Sequence, residues 1–176
     1  MTYLLDTMIV SYFLESAHEK ALAEAAKRLP MAIVGEVRRE LWKDTHRGGA
    51  PFEKWLAVSN IEVREIKVGS EESGTLAQLQ NPGSGKGLGE RASIAIAAWD
   101  ASLTFVTHDH GAVRIALREL WSPGERVMGP AVFLRRLVDS GAAIDPIVLD
   151  DVIALAGAVR ATWWPSWRAG IASPTR

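Results

Sequence analysis

Four carboxylates set the chemical question in this chain: Asp6, Glu36, Glu90 and Asp109. Asp6 closes the apolar run Tyr3-Leu4-Leu5, and Glu36 comes two residues after Met31-Ala32-Ile33-Val34. Asp109 comes three residues after Leu103-Thr104-Phe105-Val106, and Glu90 opens the Ala/Ile-rich segment that leads into that run. If these runs are strands of one parallel sheet, the acids converge on the edge beyond the strands' carboxyl ends, where open α/β sheets bind their ligands. Carboxylates gathered about 4 Å apart repel by ~4 kcal/mol per pair at an effective dielectric near 20, so they need protons or a cation. An oxygen-only donor set, without thiol or imidazole, suits Mg²⁺ or Mn²⁺ rather than zinc or copper. The chemistry best served is metal-assisted phosphodiester hydrolysis, with one ion activating water and a second stabilising the leaving oxygen.

Each acid also has a purely structural explanation. Asp6 and Asp109 can cap the helices that follow them, and Glu36 and Glu90 lie in first turns where the helix dipole favours negative charge. Their joint placement on one edge is what speaks for chemistry. Glu40 lies four residues after Glu36 on the same helix face and is the alternative acid; Glu36 is preferred for its nearness to the strand end. Asp100 is about 280° of helical rotation from Glu90 and makes a poor ligand. His108 and His110 flank Asp109, but on an extended segment they point away from it, so the three do not ligate one ion together. The glycine-rich stretch Gly83-Ser84-Gly85-Lys86-Gly87 is not a phosphate-binding P-loop, which needs glycine where Gln80 stands and a hydroxyl residue where Gly87 stands.

The elements that must position these acids alternate along the chain. Short buried strands are expected at 3–5, 31–34, 61–66 and 103–106, with a last short one at 126–128 and the 61–66 strand at an edge. Helical spacing follows Thr7, and Ser16 with Glu19 matches a capping box for a second helix through Ala25. Further helices are expected over 36–47, around Trp55, at 76–79, from Leu88 to Trp99, from Asp109 to Leu120, and over 133–138 and 147–159. Alternating strands and helices imply an α/β fold, a parallel sheet with helices on both faces. The 176 residues suit one domain, 48% hydrophobic and 23% charged. The division expected is 1–145 for that domain and 146–176 for a helical extension and tail, containing Trp163, Trp164 and Trp167, on the same body. No cysteine is present, which removes disulfides, thiolate zinc sites and cysteine nucleophiles. The 20 basic and 21 acidic residues sum to −1, so any nucleic acid must be held by local patches. The chain starts without a basic leader and has no apolar run of membrane-spanning length, so a cytoplasmic protein is expected.

The ordered set Leu4-Leu5-Asp6-Thr7, Glu36-Val37, Gly87-Leu88-Gly89-Glu90 leading into Ile94-Ala95-Ile96-Ala97, and Phe105-Val106-Thr107-His108-Asp109 resembles a PIN domain. Within that superfamily it is most similar to the VapC-type toxin ribonucleases, over residues 2 to 140. The resemblance implies a three-layer α/β/α sandwich and a Mg²⁺- or Mn²⁺-dependent endoribonuclease, with RNA as substrate, a homodimer, and a protein antitoxin as partner. It carries Asp6, Glu36, Glu90 and Asp109 over as the metal-site acids, with Thr107 and the neighbouring Thr7 orienting them. Arg38, Arg39, Lys86 and Arg114 are the candidate RNA contacts. The chain departs from the family in having Glu90 where many members have aspartate. It also has His110-Gly111-Ala112 where relatives often carry another acid. Two other readings follow: a catalytically weak PIN-like binding module, and a metal-dependent phosphohydrolase of small substrates.

Overall fold

The computed structural model describes residues 1–44, 48–80, 87–141 and 144–155. Five parallel strands form one sheet: β1 (Thr2–Leu5), β2 (Met31–Val34), β3 (Glu62–Arg64), β4 (Leu103–Val106) and β5 (Val127–Met128). Their spatial order is β3-β2-β1-β4-β5. Helices flank this sheet in a three-layer α/β/α sandwich. Every residue of β2 and β4 is buried, as is β1 from Tyr3 onward, which is why these strands read as unbroken apolar runs. β3 pairs only with β2 and shows the mixed exposure of an edge strand.

The chain moves outward from β1 to β2 and β3, then returns to the other side of β1 for β4. The order therefore reverses between β1 and β4, and the crevice of an open parallel sheet lies beyond the carboxyl ends of such a pair. The register aligns Leu5 with Val106, so Asp6 and Thr107 follow side by side.

The helices that matter for the site leave these strand ends at once. They are α1 (Thr7–Glu15), α3 (Gly35–Lys43), α6 (Leu88–Trp99) and α7 (His110–Glu119). α6 buries Ala92, Ile94, Ala95, Ile96 and Ala97, so it lies in the core rather than on it. Its carboxyl end is closed by a buried arginine. Arg126 donates to the carbonyls of Asp100 (2.7 Å), Leu103 (3.1 Å) and Ala97, satisfying acceptors that a helix end leaves open.

The other helices are α2 (Glu19–Ala26), α4 (Ala50–Leu56), α5 (Glu71–Leu79), α8 (Pro123–Arg126), α9 (Pro130–Asp139) and α10 (Pro146–Leu155). Two local expectations are corrected here. Ser16 does not cap α2; it ends α1, its hydroxyl donating to the Tyr12 carbonyl at 2.7 Å. A serine between two helices can close the first as readily as open the second, and here His18 stands at the start of α2. α5 starts earlier than residue 76, because the Ser70 hydroxyl accepts the Ser73 N–H and nucleates the helix there. In the C-terminal segment α10 buries Val148, Leu149, Val152 and Ile153 in the same core. The tryptophan-rich tail and Lys86 lie outside the described residues. Among the described residues no helix is long and apolar enough to cross a membrane.

Candidate metal centre

Asp6 occupies the switch point and is completely buried. Its backbone begins α1, but its side chain makes no cap hydrogen bond to that helix. It turns instead toward β4, where the Thr107 hydroxyl donates to Oδ2 at 2.6 Å. The same hydroxyl accepts the Asp109 N–H at 3.1 Å. Thr107 thus ties the position of one acid to the backbone of another. Asp6 Oδ1 has no hydrogen-bond partner, and a buried carboxylate oxygen left in that state is costly. Burial pushes the Asp6 carboxyl up from 3.8 to about 7, against the Thr107 hydrogen bond, with the charges of Glu90 and Glu40 adding to the rise and the Thr7 N–H opposing it.

The second acid whose charge acts on Asp6 and Glu90 is Glu40. Glu40 Oε1 accepts the Gly89 N–H at 3.0 Å, and Oε2 accepts the Thr7 hydroxyl at 2.5 Å. It therefore binds the starts of α1 and α6 to α3. Glu36 pairs with Arg39 at 2.6 Å, and Arg39 also reaches Glu65 at 3.6 Å. Arg39 engages only Oε1 of Glu36, and Oε2 is buried without a hydrogen-bond partner. What selects the acid is where α6 approaches α3, and that happens one helical turn past Glu36. A Cβ on Gly89 would lie 2.7 Å from Glu40 Oε2 and 3.0 Å from Val37 Cγ2, so glycine is what lets the Glu40 carboxylate sit against this helix start. The motif contained this signal, since a glycine just ahead of Glu90 marks a close backbone contact.

Glu90 stands in the first turn of α6 and is half-buried. Its carboxyl is raised by burial first, then by the charges of Glu40 and Asp109, against its own N–H and Arg91. Gly87 before it has φ +70°, and a Cβ there would sit 2.6 Å from Glu90 Oε2. The helix start is thus shaped around this carboxylate. Asp109 is exposed, and Oδ1 accepts the Ala112 N–H at 2.6 Å, capping α7. Capping uses only one of its two oxygens, so the structural and chemical explanations of this residue are compatible. Glu90, Arg91, Asp109, Gly111, Ala112 and Ile115 line a cleft of about 360 Å³.

The structure therefore gathers Asp6, Glu40, Glu90 and Asp109 from four elements, each feeling the charge of at least one other. Among the described residues no three carboxylates or imidazoles stand within common reach of one ion, so the cluster is open rather than a closed cage. Its donor chemistry nonetheless fits a hard divalent cation. The donors are all oxygens, two carboxyls are pushed toward the neutral form, and one buried oxygen is unpartnered.

The expected RNA contacts divide. Arg38 makes a two-pronged bond to Glu53 at 2.9 and 2.7 Å, and Arg39 is held by Glu36 and Glu65. Arg114 is exposed and makes no ion pair among the described residues. The His108 ring is bonded to Tyr12 at 2.5 Å. Comparison with protein-family models, with curated proteins and with solved structures finds no match for this chain.

Proposed function

We propose that the chain is a Mg²⁺- or Mn²⁺-dependent endoribonuclease of the PIN type. The observation that carries the reading is the fully buried Asp6 at the β1/β4 switch point, with an unpartnered oxygen and a carboxyl pushed up to about 7 beside Glu90 and Glu40. A site designed only for stability has no reason to keep three acids in mutual repulsion. Asp6, Glu40, Glu90 and Asp109 are the residues that would hold the metal. When bound, it supplies neutralisation of phosphate charge and acidification of water. Thr107 holds Asp6 and the Asp109 backbone in fixed relation, and Thr7 does the same for Glu40. The cleft lined by Glu90, Arg91 and Asp109 is where a phosphodiester would enter. The toxin role, the homodimer, the antitoxin partner and the cytoplasmic location rest on the sequence resemblance.

The test is Mn²⁺ titration by calorimetry on wild type, Asp6→Asn and Asp109→Asn, together with cleavage of total RNA. Metal binding and cleavage in the wild type, both lost in the two variants, support the reading. Binding that survives both substitutions removes the four-acid site. Metal binding with turnover of small phosphoesters but not RNA transfers the site to the phosphohydrolase reading, and binding with no turnover transfers it to the binding module.

A further inference from the structure

The cleft beside the metal centre is lined from two helices of unlike character. The start of α6 supplies Glu90 and Arg91, and the first turns of α7 supply Gly111 and Ile115 beyond Asp109. Arg91 is the one cationic side chain among the described residues that line it. Its guanidinium folds back toward the helix start: a Cβ on Gly87 would lie 3.9 Å from Arg91 Nη1 and 2.6 Å from Glu90 Oε2. Cation and carboxylate therefore stand on the same rim of the cleft. A helix dipole disfavours positive charge at this end, so helix formation gives no reason for an arginine here. Past Asp109 the α7 side is uncharged. Gly111 and Ile115 are one turn apart on one face of α7, both partly exposed, and Ile115 is packed against the core, which holds it in place. At about 360 Å³ the cleft has the size of a small-ligand site.

We propose that this cleft is a one-nucleotide subsite for single-stranded RNA, in which the Arg91 guanidinium takes a backbone phosphate and the Gly111–Ile115 face carries the adjoining sugar and base. The inference rests on the nuclease reading above. A polyanion approaching Glu90 and Asp109 meets two carboxylates, and Arg91 is the group on that rim able to offset them. Its planar fork presents paired N–H donors to two phosphate oxygens at once, which a point charge does not. A small, uncharged and firmly packed surface suits the apolar faces of a nucleoside. One nucleotide fits such a space and a base pair does not, so the bound strand is single. Contacts to phosphate and to the faces of sugar and base carry no sequence, and any base preference is set outside this cleft.

The rival role for Arg91 is to balance the acids, and the two roles separate in one set of measurements. The assay is cleavage of a short mixed-sequence single-stranded RNA with Mn²⁺ at several salt concentrations, with kcat and KM resolved. Mn²⁺ calorimetry and thermal unfolding run alongside. Arg91→Gln is expected to lose roughly 10- to 100-fold in kcat/KM, mostly through KM, the range for a hydrogen bond to a charged acceptor. The slope of log(kcat/KM) against log salt should become shallower by about 0.7, one phosphate contact on a single strand. Mn²⁺ should bind this variant as tightly as wild type or more tightly, because a neighbouring cation is gone. Arg91→Lys should restore the salt slope and only part of the activity, since it returns the charge without the fork. Ile115→Glu should raise KM, and Ile115→Gln, similar in size but neutral, should raise it less. Annealing the RNA to its complement should suppress cleavage. A wild-type KM and salt slope in Arg91→Gln, with only Mn²⁺ affinity or melting temperature altered, shows that Arg91 serves the acids alone and overturns the subsite while leaving the nuclease intact. Unchanged KM in Ile115→Glu, or equal cleavage of the duplex, overturns it as well. A wild-type protein that neither binds nor cleaves RNA overturns the nuclease reading and this inference with it.

Discussion

Replacing Asp6 by asparagine removes the charge that the folded protein holds at greatest cost. The carboxyl titrates near 3.8 when solvated and near 7 in the folded protein, where burial dominates and Glu90 and Glu40 add repulsion. Between those values the folded state binds a proton that the unfolded chain has lost. Stability therefore falls as pH rises through this window, by at most about 1.4 kcal/mol per unit, and levels off above about 7. Three units of difference correspond to about 4 kcal/mol, and full burial leaves little solvent screening to reduce it. Asparagine cannot ionise, its Oδ1 still accepts the Thr107 hydroxyl, and its stability carries no such slope. Near pH 4 the two proteins should differ by no more than about 1 kcal/mol. Near pH 8 the variant should be the more stable by about 2 to 4 kcal/mol, or roughly 5 to 15 °C in melting temperature. Urea unfolding in EDTA, followed by the fluorescence of the chain's tryptophans, measures both limits. Adding Mg²⁺ should then reverse the order at pH 8, since the wild type gains from binding and the variant does not. A gap between the two proteins that stays constant from about pH 5 to about pH 8 would refute the reasoning, because it would mean that Asp6 titrates as a solvated carboxyl.

Other substitutions probe the same geometry from different sides. Glu40→Gln should lower RNA cleavage by at least about 100-fold, while Glu36→Gln, whose carboxylate is engaged by Arg39, should change it by less than about fivefold; equal effects in a cleavage assay would contradict the choice of Glu40. Gly89→Ala gains about 1 kcal/mol of helix propensity, which offsets the crowding against Val37, so its melting temperature should be near that of wild type. Its added methyl displaces the Glu40 carboxylate, so metal affinity measured by calorimetry should fall about tenfold or more. Arg126→Met strands the carbonyls of Asp100, Leu103 and Ala97 and should cost about 3 kcal/mol in urea unfolding, with metal affinity unchanged because Arg126 lies at the far end of α6 from Glu90.

The contrast between what could and could not be read from the residues has a physical origin. Strands buried on both faces appear as apolar runs whatever their partners, so β1, β2 and β4 were legible, and with them the edge on which Asp6 and Asp109 stand. Helix starts were less legible where one residue could serve two neighbours, as Ser16 shows by closing α1 rather than opening α2. The choice between Glu36 and Glu40 was beyond local reading altogether. The two acids are chemically equivalent and share a helix face, and the contact that separates them is to Gly89, 49 positions further along. Only tertiary packing decides which carboxylate is drawn into the cluster and which is left to an arginine.

That dependence also explains why the glycines near Glu90 carry as much of the site as the acids do. Gly89 lets α6 come close enough for its N–H to hold Glu40, and Gly87 leaves the space into which the Glu90 carboxylate folds. Gly87 also supplies the left-handed turn that starts the helix. The four acids would repel one another into solvent if their carriers were free to move apart. They remain gathered because close backbone approach, the Thr107 and Thr7 hydroxyls and a core built of both strand and helix residues hold those carriers in place. The site is therefore best understood as a packing arrangement that stores electrostatic repulsion, which a bound cation would relieve under the proposed function.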